Sequence, residues 1–161
     1  MPEKIKDVKP PRGLARLGFR LPIWFYRLGL GGLLGKRFLM LTHTGRKSGL
    51  QRQTVLEVVQ YHPDGNTFVV TAGFGPRSDW YQNVRKQPLV TVQSGGRRWK
   101  MQANFLPPEQ AAEELLDYYH HHPRALHELA GVMGYRLQDT EADVRALGET
   151  LHMVAFSPLE R

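Results

Sequence analysis

Two apolar runs separated by a short basic loop constrain this chain more than any other stretch. Phe38-Leu39-Met40-Leu41 leads into Thr42-His43-Thr44-Gly45-Arg46-Lys47-Ser48-Gly49-Leu50-Gln51-Arg52, and an alternating run leaves it over Thr54 to Tyr61. Short apolar runs bounded by glycine-rich turns read as strands. The pattern is therefore strand, loop, strand, with Arg46, Lys47, Ser48 and Arg52 on the loop. Gly45 and Gly49 allow positive φ and a close approach that a side chain forbids. The cationic heads, with Thr44, Ser48 and free backbone N–H groups as neutral donors, suit phosphate or carboxylate. The Gly-x4-Gly-Lys-Ser/Thr order of a nucleotide-binding loop is absent. A solvated basic hairpin loop accounts for the same residues equally well.

The rest of the chain follows the same punctuation. Met1 to Gly13 is polar and proline-bearing and reads as a loose arm, with residues 14–161 as one domain. Leu14 to Leu34 places Leu14, Leu17, Leu21, Trp24, Phe25 and Leu28 at helical spacing, with arginines between them. One or two short helices packed on the core are expected; contact with an anionic membrane surface is the alternative. Strands are expected over Arg37–Thr44, Thr54–Tyr61, Thr67–Ala72, Leu89–Ser94, Arg98–Leu106 and His152–Phe156. Asp64-Gly65 and Gly95-Gly96 mark hairpins. Helices are expected over Asp79–Arg85, with Ser78 as N-cap, from Pro108 to near Pro123, over Arg124–Val132 and over Glu141–Leu151. Thr140 and Asp143 form a capping-box pattern for the last. These elements make an α+β chain whose core is a small antiparallel barrel with flanking helices.

Composition narrows the function classes. The chain has 161 residues and a formal net charge of +7. That balance fits a polyanionic ligand, nucleic acid or an anionic membrane surface, without choosing among them. There is no cysteine, which excludes disulfides, thiolate metal sites and cysteine nucleophiles. No apolar run approaches the roughly 20 residues that span a bilayer. No secretory signal is evident, so a cytoplasmic location is expected. Adjacent histidines on a helix diverge, so His120-His121-His122 is not expected to share a metal.

A second loop, Thr71-Ala72-Gly73-Phe74-Gly75-Pro76-Arg77-Ser78, runs into Asp79-Trp80-Tyr81-Gln82-Asn83. It leaves amides free between a strand and a helix N-terminus. Trp80 offers a flat face or an indole donor, and equally a core anchor. Taken in order with Leu41 to Arg52 and Gln87-Pro88, this stretch resembles the deazaflavin-dependent nitroreductase family from about Arg37 to Pro107. The resemblance implies an antiparallel split β-barrel, similar to FMN-binding split barrels. It also implies an oxidoreductase that uses the reduced 8-hydroxy-5-deazaflavin coenzyme, F-420, as hydride donor to a small organic acceptor: a quinone, nitro compound or activated enone.

That coenzyme carries a phosphate and an oligoglutamate tail. By the resemblance, Arg46, Lys47, Ser48 and Arg52 match the tail- and phosphate-binding positions. Gln53 and Thr54 match the strand passing the ring. Val70, Thr71, Ala72 and Gly73 match the second strand end at the cofactor. Asp79, Trp80, Tyr81, Gln82 and Asn83 match the helix start that closes the pocket. Some members have a lysine at or near Gly73; here Arg77 offers a replacement charge. No catalytic acid is expected, because the cofactor carries the hydride chemistry. The alternatives are an FMN- or haem-binding protein on the same barrel and a non-enzymatic basic domain. The clustering of the cations in one loop, not along a face with interleaved aromatics, speaks against nucleic acid.

Overall fold

The structure is a computed structural model and describes residues 2–4, 37–73 and 75–159. The expectations for Leu14–Leu34 fall outside these residues, as does most of the arm before it. Six strands close into one antiparallel barrel: β2 (Phe38–Thr44), β3 (Gln51–His62), β4 (Thr67–Thr71), β5 (Leu89–Ser94), β6 (Arg97–Phe105) and β8 (Met153–Pro158). Their order around the wall is β2-β3-β4-β8-β6-β5. Closure leaves no sheet edge unpaired. Helix α1 (Asp79–Lys86) lies between β4 and β5. Helices α2 (Pro108–His121), α3 (Pro123–Val132) and α4 (Glu141–Thr150) follow β6. The fold is the expected split β-barrel with flanking helices.

Strand alternation builds two cores. Leu39, Leu41, Val58, Phe68, Val70, Val90, Val92, Met101, Ala103, Val154 and Phe156 fill the barrel. Val59, Val69, Met153 and Ala155 point the other way, against Ala111 and Leu115 of α2, Leu126 and Ala130 of α3, and Val144 and Leu147 of α4. This is why β4 and β8 read as unbroken apolar runs: both of their faces are buried. Helix α1 belongs to the first core, because Trp80, Tyr81 and Val84 pack with the barrel residues. Each such burial contributes about 1.5–3 kcal/mol.

Some local details differ from expectation. Strand β3 begins at Gln51, so Arg52 stands on the ladder opposite His43 rather than in the loop. The pairing of Thr44 with Gln51 extends the hairpin past the point where the apolar pattern stops. A register shift between Val58 and Gln60 bends β3, and its far half pairs with β4. In the link after β3, Pro63–Gly65 forms a 3-10 turn and Asn66, not Gly65, takes the left-handed conformation at φ 47°. Ser78 stands at the N-cap of α1, but its hydroxyl donates to the Gly75 carbonyl at 2.8 Å and caps nothing. The loop folds back on itself there, which brings that carbonyl closer than the helix amides. The Thr140 hydroxyl accepts from the Asp143 N–H at 3.2 Å, as the capping pattern required, while Asp143 Oδ2 reaches past the cap to the Gln138 N–H at 2.7 Å. A two-residue pairing of β1 (Glu3–Lys4) with β7 (Tyr135–Arg136) had no signal in the hydropathy pattern.

Helices α2 and α4 cross at Gly148. A Cβ there would sit 2.6 Å from Ala112 Cα and 3.1 Å from the Ala111 carbonyl oxygen. Neither is a flexible side-chain end, so the helices would have to separate. Gly148→Ala is therefore expected to destabilise the protein by about 1–3 kcal/mol despite alanine's better helix propensity. A fall in Tm in thermal denaturation checks this; an unchanged or raised Tm would show that the crossing can give way.

Candidate active site

The basic loop is folded against α1 through one side chain. Gly45 donates to the Leu50 carbonyl and Gly49 to the Gly45 carbonyl, both at 2.8 Å, which makes residues 46–48 a single tight turn. A Cβ on Gly45 would lie 2.6 Å from Ser48 Oγ, and Gly49 has φ +72°. The two glycines thus serve different needs, close approach at the first and positive φ at the second. Asn83 Oδ1 then accepts two hydrogen bonds from Arg46: from its backbone N–H at 3.0 Å and from Nη1 at 2.8 Å. The other guanidinium nitrogen, Nη2, donates to Asp79 Oδ1 at 3.3 Å. Lys86 Nζ donates to the Arg46 carbonyl at 2.9 Å.

With Oδ1 occupied as acceptor, the Asn83 amide nitrogen is the donor to His43 Nδ1, 3.1 Å away. His43 Nδ1 is therefore the unprotonated ring nitrogen. Both side chains are buried, His43 at 4% exposure. Burial, followed by the positive charge of Arg52, pushes the His43 pKa down to about 4; the Asp79 carboxylate opposes this. The three legs of the clamp differ in strength. The Asp79 leg is an ion pair with a carboxylate 86% exposed, and such pairs are worth about 0–1 kcal/mol. The Asn83 leg is buried, and leaving it unpaired costs about 1–3 kcal/mol.

Other donors of this stretch are left unused. Among the described residues Lys47 and Arg52 make no ion pair, and both are exposed. The Lys47 and Ser48 backbone N–H groups have no partner among them. Ser48 Oγ accepts from the Leu50 N–H at 3.2 Å, so its own proton is free to donate. The other predicted site residues fall into two groups. Val70, Ala72, Trp80 and Tyr81 are buried in the barrel core. Tyr81 packs edge-on against Phe105 and His152. Gln53, Thr54, Thr71 and Gly73 are half-buried, along the start of β3 and the end of β4. Gln82 Nε2 donates to the Pro76 carbonyl at 2.6 Å and so closes the glycine loop. Arg77 is exposed.

One residue that the sequence reading passed over belongs here. Met133, just past α3, is buried, and its Cγ would lie 3.6 Å from a Cβ on Gly73. It thereby ties the helical layer to the second loop. A lone methionine after a helix gives no signal of such a role. The histidine run takes three separate partners: Glu141 for His120 at 2.7 Å, the Asp117 carbonyl for His121 at 2.9 Å, and the Tyr118 ring for His122.

The profile of the F420H2-dependent quinone reductase family matches residues 19–130. The chain belongs to that family. It is an oxidoreductase, and its cofactor is coenzyme F-420. Among solved structures, an F420H2-dependent reductase, FDR-A, is 21% identical, with 76% of this chain and 96% of that chain covered at a TM-score of 0.52. A domain-swapped dimer is 20% identical, with 90% of this chain and 100% of that one covered at 0.54. The haem storage protein HutZ of Vibrio cholerae is 10% identical, with 81% and 87% covered at 0.50. At these identities the structural likeness establishes the fold, not a ligand. The residues present do fit the quinone reductase cofactor. Lys47, Arg52, Ser48 and two free amides form a donor set for a polyanion. The Thr71 hydroxyl, at the mouth of the second loop, is a buried polar atom without a partner among the described residues. No helix among those residues is long and apolar enough to cross a membrane.

The His43 environment carries a pH dependence. Its folded pKa lies below its ordinary 6.5, so on acidification the unfolded chain takes the proton first. Stability from this group is constant above pH 6.5 and is lost progressively down to about pH 4. At pH 5 the loss is about 2 kcal/mol. Denaturation of wild type and His43→Phe at pH 7 and pH 5 checks this: the acid-induced loss should be smaller in the variant by about that amount. Equal losses would place the acid sensitivity elsewhere.

Proposed function

We propose that the β2–β3 loop and the start of β3 grip the phosphate and glutamyl tail of F-420 with Lys47, Ser48, Arg52 and the backbone amides of Lys47 and Ser48. The ring lies along Gln53 and Thr54 toward Thr71, Ala72 and Gly73, and the acceptor is a quinone-class molecule. The observation that carries this reading is the division of labour among the cations. Arg46 is engaged by Asn83 and Asp79, while Lys47 on the loop thus fixed and Arg52 at the start of β3 are exposed, with no ion-pair partner among the described residues. A merely solvated loop has no need of a buried anchor.

The reduced coenzyme, when bound, supplies the hydride. The chain's own residues bind, orient and exclude water. Lys47 and Arg52 attract the tail over a distance set by ionic strength. Trp80 and Tyr81, locked in the barrel core, keep the α1 end of the site from shifting. The packing of Met133 on Gly73 brings the helical layer to the edge of the second loop, and the acceptor approaches from that side.

Titration followed by fluorescence tests the assignment. Oxidised F-420 should bind more tightly than FMN. Because both cations are exposed, Lys47→Ala and Arg52→Ala should each weaken F-420 binding by about 1 kcal/mol, roughly fivefold. The loss should shrink at high salt, and Tm should hardly change. Unchanged affinity in the double variant would falsify the loop assignment, and tighter FMN binding would reopen the cofactor's identity.

A further inference from the structure

We propose that His43 is a positioning residue for coenzyme binding: its unprotonated Nδ1 orients the Asn83 carboxamide and, through it, the basic loop. The inference rests on the reading of that loop as the F-420 tail site. A carboxamide can be turned over at little steric cost, and only its hydrogen-bond partners decide which end faces which way. Here the end facing the loop must be oxygen, since Arg46 presents two donors to it, at 3.0 and 2.8 Å. The nitrogen then faces into the barrel mouth, where a buried donor needs an acceptor. His43 Nδ1 is that acceptor, at 3.1 Å.

A protonated ring would present a donor to the amide nitrogen, and the arrangement would fail. The charges around His43 oppose protonation: Arg52 stands opposite it on β3. Arg46 reaches it through Asn83, and Lys86 is hydrogen-bonded to the Arg46 carbonyl. Among the described residues Asp79 of α1 favours the proton, and it is exposed and shared with Arg46. The neighbouring β5, Leu89–Ser94, carries no charged residue. Burial adds to the effect and keeps the ring neutral well below pH 6. His43 touches no substrate. It acts through Asn83 and Arg46 on the turn that presents Lys47 and Ser48.

Three readouts test this. In wild type, ring nitrogen NMR should show Nδ1 unprotonated and Nε2 protonated from pH 7 to pH 5; a protonated Nδ1 overturns the proposal. In His43→Phe, which keeps the ring but removes the acceptor, amide hydrogen exchange at Arg46 should quicken by about tenfold. His43→Asn places an acceptor oxygen near the Nδ1 position and should restore slow exchange. No change in His43→Phe, or an equal increase in both variants, overturns the proposal, the latter by assigning the effect to ring volume. His43→Leu serves as the second variant lacking an acceptor if His43→Phe does not fold. The Kd for F-420 should follow the exchange, rising about tenfold in His43→Phe and recovering to within about threefold of wild type in His43→Asn. An exchange effect without a Kd effect overturns the role in binding. Failure of the site assignment itself shows separately, as affinity unmoved by Lys47→Ala and Arg52→Ala.

Discussion

The site depends on one buried carboxamide. Asn83 is buried at 4% exposure, and every polar atom of its side chain is used: the oxygen by Arg46 twice, the nitrogen by His43. In a low-dielectric setting such a group either finds all its partners or destabilises the fold. Here it joins the end of β2 and the basic loop that follows to α1, 40 and 37 positions further along the chain. Arg46 is thereby held against α1, and the turn that carries Lys47 and Ser48 gains a fixed base.

The strut holds only because α1 is itself held. Trp80, Tyr81 and Val84 bury their apolar surface at the barrel end, and the free energy of that burial far exceeds what an exposed Arg46–Asp79 pair could supply. Polar contacts therefore set direction in this site, while apolar packing sets strength. The outer core repeats the same logic. Helices α2, α3 and α4 cover one side of the barrel, and Met133 carries their packing to Gly73. The acidic residues concentrate in this C-terminal layer, after Pro107, and most of the basic residues precede it. The net positive charge is thus not spread evenly along the chain.

The family assignment and the fold carry different information. A haem storage protein shares the barrel at 10% identity, so the barrel alone does not choose a cofactor. The choice lies in what the β2–β3 loop and the loop after β4 present. In this chain those are a tight turn with two backbone amides, two cations and a buried threonine hydroxyl that have no partner among the described residues.

Most of the fold was legible in the sequence. The apolar run of β2, the alternation of β3, the Gly95-Gly96 turn, Pro108 at the start of α2 and the Thr140–Asp143 cap are local signals, and local physics settles them. The basic loop was legible too, because glycine and cation spacing lie within one short stretch. What the sequence could not settle were the partners. Nothing near Arg46 shows that its guanidinium turns onto a residue 37 positions away, or that Arg52 rides a strand opposite His43. The hydroxyl of Ser78 chose the Gly75 carbonyl over the cap, and Glu3–Lys4 found β7 across almost the whole chain. The sequence by itself determined which residues could form strands, turns and a cationic loop, because those depend on neighbours along the chain. Only the tertiary structure decided which cations are struts and which are free, because that depends on groups the closed barrel brings together and on the requirement that buried polar atoms be paired.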